Sequence, residues 1–256
     1  MAVSIKIDLN CDLGESYGRY VLGEDAAMMA WITSANVACG FHAGDPDVMA
    51  ETVSLTRKNG VALGAHPGYP DLKGFGRKAM RMTPQEMTHA VCYQMGALEA
   101  IARLAGLNLV HVKPHGALYN LAAQDIESAQ AIARAVAGFN PALILVGLAG
   151  SALIEAGESA GLWTANEGFP DRRYMPDGQL VPRAKEGAVI SDPKEVAENA
   201  LQLARSGIQF GGKTVRIDTL CLHGDNPHAV DNAMLVYQTL KQAGIEICPL
   251  RGVLEI

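Results

Sequence analysis

Paired cysteines, an excess of positive charge and long apolar runs are all missing from this sequence, and each absence closes off a class of protein. The five cysteines stand at Cys11, Cys39, Cys92, Cys221 and Cys248, an odd number with no CxxC pair. Neither a disulfide framework nor a zinc knuckle fits that pattern. Lysine and arginine number 21 against 27 acidic residues, for a net charge of −6. A general nucleic-acid binder carries a basic face, so no nucleic-acid partner is expected. An anionic small molecule stays open, because local fields rather than net charge decide that. The longest apolar run, residues 142–154, is interrupted by Gly147, Gly150 and Ser151, and it is too short to cross a bilayer. The chain does not open on a basic stretch leading into a long apolar one. No secretory leader and no membrane partner are therefore expected, and the cytoplasm is the expected compartment.

Apolar residues make up 49% of the 256 and charged residues 19%, the balance of a globular core. No low-complexity linker or shift in composition divides the chain, so a single domain over residues 1–256 is expected. Short β-rich runs alternate with helical ones throughout. Strands are expected at the start and at residues 36–39, 61–65, 107–112, 143–146, 162–165, 215–222 and 245–248. Helices are expected at 25–35, 46–59, 126–137, 152–160, 192–205 and 227–242. Another opens at Thr83-Pro84-Gln85-Glu86, a capping box followed by Met87, Val91, Met95, Leu98, Ile101 and Ala105 at spacings of three and four. Such alternation predicts a parallel sheet under helices. Seven or eight units over this length suggest a closed barrel, with a doubly wound open sheet as the alternative. Residues 167–190 break the rhythm with a long polar segment, and long loops in compact domains tend to be functional.

The stretch that dominates the polar pattern is the first strand, where Ile5, Ile7 and Leu9 alternate with Lys6, Asp8 and Asn10. An extended path places Asp8, Asn10 and Asp12 on one face, with Glu15 just beyond. So much acid at one strand end calls for a metal, a cation or a proton. The other chemically loaded residues also follow strands: His42 and Asp45, then His66, then Lys113 and His115, then Glu167 and Arg172, then His223 and Asp225. In a βα barrel these ends share one rim, where active sites sit. Asp12, His42 and His66, from three successive strand ends, could hold a divalent metal or do direct acid–base work. Lys113 suits an anion or a polarised carbonyl. Asp45 before Pro46 reads equally well as a helix N-cap. Residues 207–214, GIQFGGKT, match the phosphate-loop pattern letter for letter. That loop must join a strand to a helix, whereas here a helix leads into a strand, so a cap glycine and a turn are expected.

The blocks NCDLGE (10–15), NVACGFHAGD (36–45), GAHPGYPD (64–71), VKPHGALY (112–119), EGFPDR (167–172) and LHGD (222–225) resemble the LamB/YcsF family along essentially the whole chain. The resemblance implies an irregular βα barrel of about seven strands, similar to the glycoside hydrolase/deacetylase barrel. It also implies an ATP-dependent 5-oxoprolinase reaction, in which the lactam 5-oxo-L-proline is opened to L-glutamate together with companion subunits B and C. ATP is the implied cofactor, with Mg accompanying it or a zinc-like ion at Asp12, His42 and His66. In that setting Asp12, Glu15, His42, His66 and Lys113 are the expected catalytic set. Asn10, Asp45, His115, Glu167, Arg172, His223 and Asp225 are expected around the substrate, with Lys113 and Arg172 facing its anionic groups. A metal-dependent amide hydrolase or deacetylase on the same barrel, or a non-catalytic partner subunit, are the alternatives.

Overall fold

The first strand buries both of its faces, and that decides the architecture. Ile7, Leu9, Cys11 and Leu13 join the main apolar cluster, while Asp8 and Asn10 between them are just as buried. A strand covered on both sides belongs to a parallel sheet wrapped in helices. The structure is a computed structural model that describes residues 5–183, 185–224 and 228–256. Asp225, and the expected start of a helix at Pro227, lie outside the described residues.

In chain order the strands are β1 (Lys6–Leu13), β2 (Ser34–Ala38), β3 (Ala62–His66), β4 (His111–Val112), β5 (Ile144–Leu148), β6 (Trp163–Gly168), β7 (Ile208–Phe210), β8 (Lys213–Val215), β9 (Thr219–Cys221) and β10 (Glu246–Ile247). Strands β1 to β6 pair in sequence order, β6 pairs with β9, and β9 pairs back onto β1 through Asp8–Thr219, Leu9–Leu220 and Asn10–Cys221. The result is a closed barrel of seven parallel strands, as expected. β10 pairs with the entry of β1, at Lys6 and Ile7.

The helices are α1 (Asp25–Met28), α2 (Pro46–Asn59), α3 (Pro84–Leu104), α4 (Gly116–Ala122), α5 (Ile126–Phe139), α6 (Ala152–Ser159), α7 (Pro193–Ser206), α8 (Ala229–Gln242) and α9 (Leu250–Leu254). Their ends follow the chemistry of the sequence. Asp45 caps α2 by accepting from Asp47 N and Val48 N, and Asp192 caps α7 by accepting from Lys194 N. At α3 Thr83 Oγ1 accepts from Glu86 N, and Glu86 Oε2 accepts from Thr83 N. Met87, Val91, Met95 and Leu98 then face the core.

Several expectations change. The helix expected at 25–35 stops at Met28, because Thr33 N donates to Leu9 O and Ser34 is already paired with Asn10 of β1. The strand expected at 215–222 divides into β8 and β9. The phosphate-loop look-alike is an antiparallel hairpin, β7 with β8, turning on Gly211 and Gly212 at φ 56° and 74°. Two consecutive positive φ angles suit a hairpin turn of glycines and leave no helix N-terminus for a phosphate. Gly207, at φ 65°, ends α7 as expected. α4 and α9 went unforeseen. Residues 169–190 make a long excursion tied by bridges between Arg172 and Val189 and between Tyr174 and Leu180.

Candidate active site

Alternation sends one set of side chains from each strand into the barrel, and in this chain much of that set is polar. Asp8, Asn10, Asn36, His111, Lys113, Glu167 and Thr219 are all buried and bonded to one another across strands. Buried polar groups must be satisfied, so this network holds its members in fixed places. At its upper end stands Lys113, directly after β4. Its Nζ lies 3.0 Å from Asp12 Oδ1, 2.7 Å from Glu167 Oε1, and 3.2 Å from both Asn10 Oδ1 and Cys221 Sγ. Three ammonium protons meet at least three acceptors. Glu167 is fully enclosed, with Oε2 accepting from Tyr119 OH at 2.7 Å and Oε1 from Asn10 Nδ2 at 3.0 Å. Burial alone would lower the Lys113 ammonium, but Asp12 and Glu167 outweigh it and hold its pKa well above the ordinary range. Burial would raise Asp12, yet His66 and Lys113 hold its carboxyl well below the usual range. Asp12 is therefore ionised at neutral pH. Its Oδ1 also accepts from Asn36 Nδ2 at 2.9 Å, while Oδ2 faces His66 Nε2 at 3.3 Å.

Beside Asp12 lies a second cluster. One atom each from Glu15, His42, His66 and His115 falls within 4.8 Å of the other three. His66 Nδ1 sits 2.7 Å from the carbonyl of Lys113, and His115 Nε2 2.8 Å from the carbonyl of Phe75. A carbonyl only accepts, so those two nitrogens carry the protons. The remaining nitrogens, His66 Nε2 and His115 Nδ1, point at each other across 3.0 Å. His42 stacks on His115 with ring centroids 3.7 Å apart, and its Nε2 lies 3.2 Å from Glu15 Oε1. Burial, followed by the neighbouring imidazoles, pulls His42 well below its usual range and His115 down to about 3. Imidazole nitrogens and a carboxylate are donors that fit a divalent ion of the zinc type. This set differs from the expected one: Glu15 takes the place given to Asp12, and His115 joins.

Both clusters open into a cavity of about 440 Å³ at the barrel mouth, lined on the floor by Asp12, Glu15, His66, Lys113 and His115. The 169–190 excursion contributes Phe169, Arg172 and Arg183 to the lining, together with Arg77 and His223. Arg172 is held by the carbonyls of Val181 and Ala188. His223 Nδ1 lies 2.6 Å from Asp171 Oδ2, and its Nε2 2.6 Å from Arg183 Nη2. Arginine only donates, so the proton of neutral His223 is on Nδ1, facing Asp171.

Of the expected site residues, Asp12, Glu15, His66, Lys113, His115, Arg172 and His223 line this cavity. Asn10, His42 and Glu167 stand behind the lining residues, each against one of them, and are fully or almost fully buried. Asp45 is absent from the cavity wall, where a substrate ligand was expected. One of its oxygens caps α2 and the other accepts from Gly18 N. Asp225 lies outside the described residues. Asn36, Tyr119 and Cys221 were not singled out, although each touches Asp12, Glu167 or Lys113.

The chain is 49% identical over 250 residues to the A subunit of 5-oxoprolinase from Pyrococcus furiosus, covering 96% of this chain and 98% of that one. It is 53% identical over 247 residues to the protein of that name from Heliobacterium modesticaldum, covering 95% and 97%. The solved lactam utilization protein of Thermus thermophilus superposes with a TM-score of 0.88 at 46% identity, over 95% of this chain and 99% of that one. A T48 deacetylase shares the fold at a TM-score of 0.51 and 15% identity, over 98% and 92%. The LamB/YcsF family profile matches residues 7–255, and the chain belongs to that family.

Proposed function

We propose that this chain is the A subunit of an ATP-dependent 5-oxoprolinase, binding 5-oxo-L-proline in the barrel-mouth cavity and opening it to L-glutamate together with companion subunits B and C. Relatives named as the A subunit of 5-oxoprolinase align over nearly their whole length at about half identity. The observation that carries the reading is the floor of the cavity, where the ionised Asp12 turns one oxygen toward His66 and the open space. Arg172 and Arg183 line the same cavity.

The substrate is a stabilised amide that carries a carboxylate. Arginine is well suited to carboxylates and phosphates, which favours Arg172 and Arg183 as partners of the anionic groups. Transfer of the γ-phosphoryl group from ATP to the lactam oxygen makes the ring carbon electrophilic. Water then adds to that carbon, and the ring C–N bond breaks as the nitrogen takes a proton. The acyl phosphate so formed is cleaved by a second water to L-glutamate and phosphate. Asp12 receives the proton of the attacking water. Lys113 acts through Asp12: with its protons already engaged by Asp12, Glu167 and Asn10, it keeps that carboxylate charged. A divalent ion held by Glu15, His42, His66 and His115 would supply Lewis acidity beside the reacting carbonyl.

The test is glutamate release from 5-oxo-L-proline with ATP, assayed with the companion subunits and without them. The complex is expected to release glutamate only when ATP is present. Asp12→Asn is expected to abolish release while the circular dichroism spectrum stays native. Release without ATP would favour a stand-alone amide hydrolase, and an active Asp12→Asn complex would favour a non-catalytic partner.

A further inference from the structure

We infer that Glu15, His42, His66 and His115 form a binding site for a single divalent ion of borderline softness, such as Zn²⁺ or Co²⁺, and that Asp12 is its neighbour rather than its ligand. The inference deepens the proposed function but does not depend on which reaction the cavity carries out.

Two carbonyl groups fix the tautomers of the cluster. Lys113 O and Phe75 O each take the proton of one imidazole, His66 at Nδ1 and His115 at Nε2. In the neutral rings the opposite nitrogens present lone pairs, and the two nitrogens face each other at 3.0 Å. Two lone pairs at that distance repel unless a positive centre lies between or beside them. Carbonyl oxygens bonded to the outer nitrogen are also the usual support of metal-ligating histidines, because they fix both tautomer and ring orientation.

Spacing agrees with this reading. Zinc–nitrogen distances of about 2.0–2.1 Å in a tetrahedral site put neighbouring ligand atoms about 3.4 Å apart. His66 Nε2 to His115 Nδ1 is 3.0 Å, His42 Nε2 to Glu15 Oε1 is 3.2 Å, and His115 Nδ1 to Glu15 Oε1 is 3.6 Å. All four atoms lie within 4.8 Å of one another. Asp12 Oδ2 lies 3.3 Å from His66 Nε2, but Asp12 is not in the group whose ligand atoms all lie within 4.8 Å of one another, and its Oδ1 is taken by Lys113 and Asn36. The choice of ion follows from the donors. Imidazole suits zinc, cobalt and their neighbours, whereas magnesium prefers oxygen and holds its water. An Mg²⁺ accompanying ATP is thus not the ion for this cluster.

The experiment is direct binding to EDTA-treated full-length protein, without substrate. Titration with Co²⁺ is expected to saturate at one ion per chain with a visible d–d absorption band, and Zn²⁺ is expected to displace it and raise the melting temperature. Excess Mg²⁺ is expected to do neither. Glu15→Gln keeps the shape of a partly exposed side chain, and it is expected to weaken Co²⁺ binding by about tenfold or more. His115→Gln is the second ligand variant, expected to do the same, and Asp12→Asn is expected to keep the one-to-one stoichiometry. Absence of stoichiometric Co²⁺ binding would overturn the site. Binding unchanged in both Glu15→Gln and His115→Gln would place the ion elsewhere and overturn it equally. Either result leaves the glutamate-release assay to decide the proposed function separately.

Discussion

Lys113 shows how a residue's sequence position can announce its place without announcing its partners. Its place after a short strand marks it as a rim residue facing the anionic end of a substrate. The structure instead surrounds its ammonium with Asp12, Glu167, Asn10 and Cys221. Removing one partner of a buried pair strands the other charge, which costs about 3–5 kcal/mol. Lys113→Met is therefore expected to lower the urea midpoint sharply, by that order, because Glu167 is left fully enclosed. Adding Glu167→Gln should restore part of the loss; a double variant no more stable than the single one would show that charge is not the cause. The acids and histidines of the site were legible because they crowd strand ends in unusual number. Asn36, Tyr119 and Cys221 were not, because an asparagine, tyrosine or cysteine in a strand or helix looks ordinary until the barrel closes and brings its partner from another strand. Asp45 misled in the opposite way: its carboxylate answers to the backbone of α2 and of Gly18.

Elements were read well where local chemistry decides them and poorly where a neighbour does. The capping box at Thr83 and the apolar stripe of α3 are complete within one segment, and both are present. The stretch after Asp25 has a helical stripe too, but from Thr33 its backbone bonds to β1, and the helix lasts four residues. β4 is equally instructive: the expected strand at 107–112 reduces to His111 and Val112, since only those two residues pair fully with β3 and β5. Opposite His111, β3 carries Gly64, and a glycine inside a strand marks a close approach. A Cβ there would overlap the His111 ring. Gly64→Ala is expected to cost about 1–3 kcal/mol in thermal or urea unfolding, as overpacking does. The ring that must move also holds Asn36 at 2.8 Å, so glutamate release should fall as well. The β7–β8 hairpin makes the opposite prediction. Lys213 is exposed on an antiparallel turn, not over a helix N-terminus. Lys213→Ala is expected to leave the ATP dependence of the complex unchanged, and a rise in the apparent KM for ATP would contradict the hairpin reading.

At the scale of the whole molecule, the barrel is closed around a polar interior, and its acid behaviour follows from that. The strand–helix rhythm made the barrel legible, but closure through β9 could not be read, because β9 is three residues long and follows a hairpin that no pattern announced. Among the titratable groups that closure buries, His111 and Asp8 act in opposite directions. Burial pushes His111 down to about 3, with its Nε2 proton given to Asn36. The unfolded chain takes up that proton near pH 6.5, so His111 stabilises the fold above that pH and loses its contribution as the pH falls toward 3. Burial also raises Asp8 from 3.8 to about 6, despite the hydroxyls of Ser34, Thr219 and Thr33. The folded state then holds the proton that the unfolded state has released, so Asp8 stabilises below 3.8 and loses its contribution as the pH rises through 6. Between those limits the two slopes oppose each other, each at most about 1.4 kcal/mol per pH unit. Asp8→Asn is therefore expected to steepen the loss of stability on acidification across this window, and His111→Phe to flatten it. Urea midpoints of the three proteins at a series of pH values measure the slopes directly. Identical slopes in wild type and Asp8→Asn would mean that Asp8 keeps an ordinary pKa, and that its three hydroxyl donors outweigh its burial.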